Sequence, residues 1–431
     1  MCDTLAIRQN GIIYFAKNSD REPGEAQLVV RIPPVKADHR KKLKATYIEI
    51  DQVQRRHGVI LSKPFWMFGA EMGANDRGVV IGNEAVFTRV MEKENGLIGM
   101  DLLRLGLERG DTAEHAMRVI IELIETCGQG GICGFRDKRL RYDNSFIIAD
   151  SDQIWILETA GRQWVAKKTE SFGAISNCLT ITDDYDIKSH GLEDFARQKG
   201  LFSGGGELNF KKTFDSWFLP YFARSAQRLN LSLQCLSGIE TGQKRVLHEM
   251  MNSLRRHQDE NTAPIKGSNA DVCMHAGGLI RRSQTCGSMV SRLEKNNPLH
   301  FFTGTSAPCL SIFKPVSFDM DLNFSVLNSD ENTVDGSLWQ RHEHAHRRLL
   351  FLGKERKQVR DSIRDAENGM FKIFEAKNYF IEPDDMKAAD QIVSDLEEEF
   401  VKQYTNREIQ HPMLSPYGLY WKWVNRLDGF R

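Results

Sequence analysis

Cys2 directly follows the initiator Met in Met1-Cys2-Asp3-Thr4, and its small side chain is compatible with Met removal. Processing there makes Cys2 the first residue, with a free α-amino group beside its own thiol. An α-amine titrates near ~7.7–8.0 and a thiol near ~8.5, so proton transfer between them is nearly balanced at neutral pH. Nucleophile and base then share one residue. Thr with an N-terminal amine is the known form of this pairing, and Cys is intrinsically the better nucleophile. Further along, Gly82-Asn83-Glu84 ends a short apolar strand. An Asn placed so can aim its backbone N–H and its side-chain amide at one point, which is how an oxyanion is held. A plain turn Asn satisfies the same pattern.

A second constellation competes with the first. His342-Glu343-His344-Ala345-His346 fits HExxH, which on a helix sets two His on one face around zinc with Glu as the base. Against it, Arg347-Arg348 follows at once, and their charge disfavours a nearby dication. The third ligand is no better specified than Glu355 or Glu367, and so polar a helix is expected on a surface, whereas zinc sites sit in clefts. His275, in Cys273-Met274-His275-Ala276-Gly277-Gly278, reads as a loop His satisfied by hydrogen bonds.

The elements that must position Cys2 are legible nearby. Asn10-Gly11 is the strongest short hairpin signal, because both central positions of a type I′ turn need φ > 0. It lies between the apolar runs Leu5–Ile7 and Ile12–Phe15. With Asn10 and Gly11 as the loop, Gln9 pairs with Ile12, Ile7 with Tyr14 and Cys2 with Ser19. Alternation puts Cys2, Thr4, Lys17 and Ser19 on one face, and Asp20 follows directly. A neighbouring Lys lowers a thiol's pKa.

Strands are also expected at Leu28–Ile32, Lys44–Ile50, Val59–Ser62 and Val79–Ile81. A helix pair follows: Gly99–Gly110, then a second opened by the capping box Asp111-Thr112-Ala113-Glu114 and closed at Gly128. Ser145–Asp150, Ile154–Glu158, Trp164–Lys168 and Gly173–Ser176 read as a four-stranded antiparallel meander, ending in Ser176-Asn177-Cys178. Helices are expected at Leu192–Gly200 and Thr241–Arg256, and strands at Cys286–Leu293 and His300–Thr303. Beyond about Leu327 the chain turns charge-rich and helical, dividing near Pro383. The run Asp395–Glu399 with Lys402 reads as a solvated face. The division is therefore residues 1–327 and a helical region, 328–431.

The chain has 431 residues, 41% apolar and 27% charged, as in a globular protein. Lys+Arg and Asp+Glu are both 58, so no net field attracts nucleic acid or a membrane surface. No stretch approaches the ~18 apolar residues of a membrane-crossing helix, and no secretory leader is evident. The eight scattered cysteines lack CxxC spacing and read as reduced thiols of a cytoplasmic protein.

Several blocks together resemble the secernins and the N-terminal-cysteine dipeptidases, with bile salt hydrolases and penicillin V acylases as remote relatives. The blocks include Cys2-Asp3-Thr4, Phe15–Arg21, Ser62-Lys63-Pro64-Phe65-Trp66, Gly69–Asn75, Gly82-Asn83-Glu84-Ala85, Gly128-Gln129-Gly130-Gly131 and Phe302-Thr303-Gly304-Thr305. The resemblance implies an α+β N-terminal-nucleophile (Ntn) hydrolase fold, two antiparallel sheets face to face between helical layers. It implies Cys2 as nucleophile and its α-amine as base, with Asp20 near that amine and Asn83 and Asn177 as oxyanion-hole and site asparagines. Acylase relatives carry Arg where this chain has Lys17, which keeps the charge and loses bidentate bonding. The activity implied is cysteine-type hydrolysis of dipeptides through a thioester. The alternatives are hydrolysis of acylated amines, or a non-catalytic scaffold whose C-terminal helices bind partners. Such chemistry needs no metal or organic cofactor, and its partner is a small peptide or acyl-amide substrate; a homo-oligomer is compatible with it.

Overall fold

In the computed structural model, residues 1–216, 218–242, 245–259, 263–319, 334–408 and 415–430 are described. The boundary expected between 327 and 328 lies outside the described residues. Asn10 and Gly11 adopt φ of 52° and 77° and join β1 (Cys2–Gln9) to β2 (Ile12–Arg21). The register is the expected one: Cys2 faces Ser19, Ile7 faces Tyr14 and Gln9 faces Ile12. A Cβ on Gly11 would meet nothing within 4 Å. Gly11→Ala should therefore cost backbone strain alone, about 1–2 kcal/mol, read as a lower denaturation midpoint at unchanged m-value.

The chain continues through β3 (Gln27–Ile32), a small hairpin of β4 (Lys42–Lys44) and β5 (Glu49–Asp51), then β6 (Val59–Pro64), β7 (Met72–Asn75) and β8 (Val80–Val86). The helix pair is α1 (Gly99–Arg109) and α2 (Ala113–Cys127). Its cap differs by one residue from expectation. Thr112 accepts from His115 N–H at 3.2 Å, while the Asp111 carboxylate lies beside His57 and His115. Next come β9 (Asp143–Ala149), β10 (Ile154–Ala160), β11 (Gln163–Thr169), β12 (Phe172–Ile175) and β13 (Ile187–Lys188). The first three form the expected meander. The fourth leaves it: β12 crosses to the other sheet and pairs with β1, Thr4 opposite Ile175. That crossing delivers Ser176 and Asn177 to the start of β1.

Helices α3 (Leu192–Gln198), α4 (Phe210–Phe214), α5 (Phe218–Phe222), α6 (Ser225–Glu240) and α7 (Val246–Leu254) precede β14 (Gln284–Leu293), β15 (Leu299–Phe302) and β16 (Lys314–Val316). The described C-terminal part is α8 (Leu338–Leu349), α9 (Gly353–Ala376), α10 (Pro383–Thr405) and α11 (Pro416–Leu427). Up to residue 405 there are thus three helices where two were expected, because the chain breaks around Leu350–Leu352.

Two antiparallel sheets result, one ordered β12-β1-β2-β14-β15-β16, the other β13-β11-β10-β9-β8-β7-β6-β3. Phe15, Ile13 and Met289 of the first meet Ile60, Met72 and Ile147 of the second in one buried layer. On the outer face of the second sheet, Ile81, Phe146 and Leu157 pack on Leu103, Ile120 and Ile124 of α1 and α2. On the outer face of the first, Leu5, Ala16 and Val290 pack on Leu247, Met250 and Phe371 of α7 and α9. The fold is α+β with the layering αββα, as expected of an Ntn hydrolase, with a helical C-terminal region. No described helix is long and apolar enough to cross a membrane.

The C-terminal helices are not a solvated surface layer. Arg347 on α8 is fully buried, pairs with Glu343 at 2.7 Å and Asp428 at 2.6 Å, and donates to the Pro23 carbonyl. Glu397, inside the run read as solvated, is buried between Lys314 (2.9 Å) and His342 (2.6 Å). A buried ion pair and an exposed charge have the same composition, and only the position of the partner separates them.

Candidate active site

Cys2 lies at the start of β1, 5% exposed, on a cleft of about 160 Å³ that Met1, Asp20, Glu71, Phe87 and Tyr142 also line. Its backbone N–H donates to Asn177 Oδ1 at 2.9 Å. Its sulfur accepts from the Asp20 N–H at 3.3 Å and stands 4.0 Å from Glu71 Oε2. The same Asp20 N–H donates to the Met1 carbonyl at 2.9 Å, and the Met1 amine donates to the Asp20 carbonyl. Met1 thus extends β1 along β2.

Pleat alternation carries Thr4 and Lys17 to the second sheet, where they meet on Glu84. Thr4 Oγ1 donates to Glu84 Oε1 at 2.5 Å; Lys17 Nζ lies 3.3 Å from the same oxygen and donates to the Asn83 carbonyl at 2.6 Å. Room for Lys17 comes from Gly82, where a Cβ would fall 2.6 Å from the Lys17 side chain. Burial alone would lower the pKa of Lys17, but negative charge on the Cys2 sulfur once it ionises, on Glu84 and on Glu71 raises it above its ordinary value. Burial pushes Glu84 up to about 8 against the pull of Lys17.

That shift has a pH signature. A carboxyl whose folded pKa is raised favours the folded state fully below its ordinary value of 4.5, and the contribution is lost as pH rises through about 8. Glu84→Gln should remove this step, so the stability of the parent should decline against the variant between about pH 4.5 and 8 in parallel denaturant titrations.

Asp20 accepts from Thr285 Oγ1 at 2.6 Å through Oδ1. Its Oδ2 is buried without a hydrogen-bond partner among the described residues, 3.9 Å from Arg228. Burial pushes its carboxyl up to about 6, opposed by the N-terminal amine and Arg228. Asn177 turns its oxygen toward Cys2 and spends its Nδ2 on the Ala85 carbonyl at 2.9 Å. As it stands, it holds the nitrogen of Cys2. Asn83 projects to the opposite side of β8. With its amide turned to satisfy its surroundings, Nδ2 donates to the Glu71 carbonyl and carboxylate at 3.1 and 3.2 Å. The structure therefore brings Cys2, Asp20 and Asn177 into contact, sets Lys17 on Glu84 and the Asn83 carbonyl, and reaches Asn83 through Glu71.

Lys17 acts on the thiol in the expected direction and is outweighed. Burial pushes Cys2 up to about 12 despite Lys17, with Glu84 also raising it. The resting group is a thiol, so its proton must leave as the sulfur attacks.

Three site residues received no role in the sequence reading, although two of them, Arg21 and Glu71, lie within the blocks that carry the resemblance. Arg228, fully buried on α6, donates to Asp3 Oδ2 at 2.6 Å, the Cys2 carbonyl at 3.0 Å and Asn177 Oδ1 at 2.7 Å. It is the one cation in its helix, and that isolation is the available clue. Burial alone would lower its pKa, but Asp3 and then Asp20 raise it. Glu71 and Arg21, 3.1 Å apart, form the opposite wall.

The HExxH residues are placed elsewhere and committed. His342, Glu343 and His346 are buried rather than on a surface. His342 Nδ1 holds Glu397, Glu343 holds Arg347, and His346 Nδ1 lies 3.2 Å from Glu343. Glu367 grips Arg255 through both oxygens, and Glu355 lies near Arg407.

Among solved structures, the chain is similar to penicillin V acylase from Agrobacterium tumefaciens, at 14% identity over 74% of this chain and 86% of that one, with a TM-score of 0.43. It is also similar to the C2A mutant of conjugated bile acid hydrolase from Clostridium perfringens, at 12% identity over 70% and 88%, TM-score 0.41. A third is the N-acylethanolamine-hydrolyzing acid amidase ortholog of Caenorhabditis elegans, at 9% identity over 67% and 92%, TM-score 0.32. The resemblance drawn from the sequence holds where a family's sequence model reaches. Over residues 47–218, the stretch that supplies Glu71, Asn83, Glu84 and Asn177 to the site, the chain matches peptidase family C69.

Proposed function

We propose that the chain is a cysteine-type amide hydrolase that uses Cys2 as an N-terminal nucleophile and acts on dipeptides. The observation that carries this reading is the pair of acceptors at Cys2. Asn177 Oδ1 already holds its nitrogen at 2.9 Å, and Asp20 Oδ2 is a buried carboxylate oxygen without a hydrogen-bond partner among the described residues. An amide N–H uses one acceptor, whereas a protonated α-amine uses several.

With the amine freed, the thiol proton passes to it as the sulfur bonds to the substrate carbonyl. The tetrahedral oxyanion is held by N–H donors at the cleft, with the Asp20 N–H released from Met1 and Asn83 and Asn177 as further candidates; one such donor is worth about 2.7–4 kcal/mol. Collapse breaks the C–N bond, and the ammonium returns its proton to the leaving amine. Water then cleaves the thioester and restores the thiol. Asp20 orients the ammonium, and Lys17 moderates the cost of charge on sulfur.

The test uses protein whose intact mass shows Cys2 as the first residue, assayed on matched panels of dipeptides and N-acyl amides. Dipeptide hydrolysis with a single acyl adduct on Cys2 is expected. Turnover of acyl amides alone transfers the site to the acyl-amide class. A folded chain whose free Cys2 neither reacts nor turns over any panel member is a scaffold.

A further inference from the structure

Away from Cys2, a second cluster gathers four side chains that the hydrolytic reading does not use. His257 follows α7, Cys273 and His275 lie on the loop before β14, and Cys309 lies in the 3-10 turn Pro308–Leu310. All four are buried, and one ligand atom from each lies within 4.8 Å of every other. His275 Nε2 stands 3.2 Å from His257 Nε2, 3.7 Å from Cys273 Sγ and 3.4 Å from Cys309 Sγ.

One ring nitrogen carries one proton or one lone pair, so it cannot make three hydrogen bonds. The distances match another geometry. With Zn–N of about 2.05 Å and Zn–S of about 2.3 Å, the edges of a tetrahedron are about 3.3 Å for N···N and 3.6 Å for N···S. The three separations measured fall within about 0.2 Å of these edges. Among the described residues His275 Nδ1 has no hydrogen-bond partner, so the polar contacts of the ring are all on its Nε2 side.

We propose that His257, Cys273, His275 and Cys309 bind one Zn²⁺ in a closed tetrahedral site, with both cysteines as thiolates. Two thiolates neutralise the dication, and loading releases two thiol protons. A mixed two-nitrogen, two-sulfur tetrahedron selects zinc among the common divalent metals. Arg360 Nη2 lies 3.9 Å from Cys309 Sγ, where its charge favours the thiolate form. A cavity of about 300 Å³ lined by Arg255, Arg256 and Arg360 also exposes His257 and Cys309.

The site is structural, and it has a route to the catalytic wall. Thr285 donates its backbone N–H to the Met274 carbonyl, accepts from the Met274 N–H through its hydroxyl, and accepts from the Ala307 N–H through its carbonyl. The Thr285 hydroxyl is also the donor to Asp20 Oδ1. Zinc would therefore pin the two loops between which Thr285, and through it Asp20, is fixed. The sequence hides the site because its ligands lie 18 and 34 residues apart around a single Cys-x-His.

The full chain, purified under reductant without added chelator, is expected to carry about one zinc per chain by elemental analysis. Cys309→Ser and His275→Gln should each lower that at least about tenfold, while Cys273→His should retain it. Co²⁺ titrated into the Cys2→Ala chain should produce thiolate-to-cobalt charge transfer and the strong visible bands of a tetrahedral site, a readout that needs no variant of the ligands. Three results would overturn the proposal. One is absence of zinc and of the cobalt spectrum in the folded chain. Another is zinc undiminished in Cys309→Ser, which places it elsewhere. The third is a Cys273–Cys309 disulfide in chain that binds no metal.

Discussion

Cys2→Ala is expected to lower kcat on a dipeptide substrate by about 10⁴-fold or more, the scale seen when a covalent nucleophile is deleted. The fold should hardly notice. Cys2 contributes one small side chain whose sulfur accepts a single N–H, at 3.3 Å, and such a loss costs about 1 kcal/mol. Activity and stability therefore separate cleanly in this variant. A companion protein isolates the amine from the thiol: the unchanged chain with an uncleavable extension ahead of Met1. It keeps the sulfur, the Asn177 contact and Asp20, and should be as inactive as Cys2→Ala because its Cys2 nitrogen remains an amide. The site gives this arm its force. Burial holds the thiol up to about 12 even with Lys17 nearby, so sulfur without an adjacent proton acceptor is a poor nucleophile. Turnover by the extended chain would mean that another base serves Cys2, with Glu71, 4.0 Å from the sulfur, as the first candidate.

What the sequence made legible was local. Asn10-Gly11 dictates a turn by its own backbone preferences, and a turn of known length fixes every cross-strand pair up to Cys2 and Ser19. The helix pair was equally readable because its apolar spacing and stop signals lie within one segment. Long-range choices were not. Nothing in Phe172–Ile175 says whether it will extend its own meander or close the edge of β1, since both partners offer the same hydrogen bonds and similar apolar faces. Of the run Asp395–Glu399 with Lys402, read as solvated, only Glu397 is buried, and that was not legible because its partners Lys314 and His342 are far away or unassigned in the sequence. Arg228 shows the same limit at the site itself: its helix was not anticipated, and its partners Asp3 and Asn177 lie 225 and 51 residues away.

Arg228→Met is the variant in which that missed residue becomes measurable, with an expected loss of about 3–5 kcal/mol of stability, the cost of removing one partner from a buried ion pair. The guanidinium holds Asp3 at 2.6 Å, the Cys2 carbonyl at 3.0 Å and Asn177 Oδ1 at 2.7 Å, and neither Arg228 nor Asp3 is exposed. Its removal leaves Asp3 buried with the Ser176 hydroxyl. Arg228→Lys should recover little, because a single ammonium cannot span Asp3 and Asn177 as a planar fork does. The double variant Asp3→Leu with Arg228→Met is the decisive measurement. Replacing both ions with apolar groups of similar size is often close to neutral, so stability should return toward the parent in denaturant unfolding. Activity should stay low, because Asn177 Oδ1 and the Cys2 carbonyl still lack the donor that fixes them. If the double variant recovers activity with stability, Arg228 acts only as the counter-ion of Asp3, and the position of the Cys2 nitrogen is set by Asn177 without it.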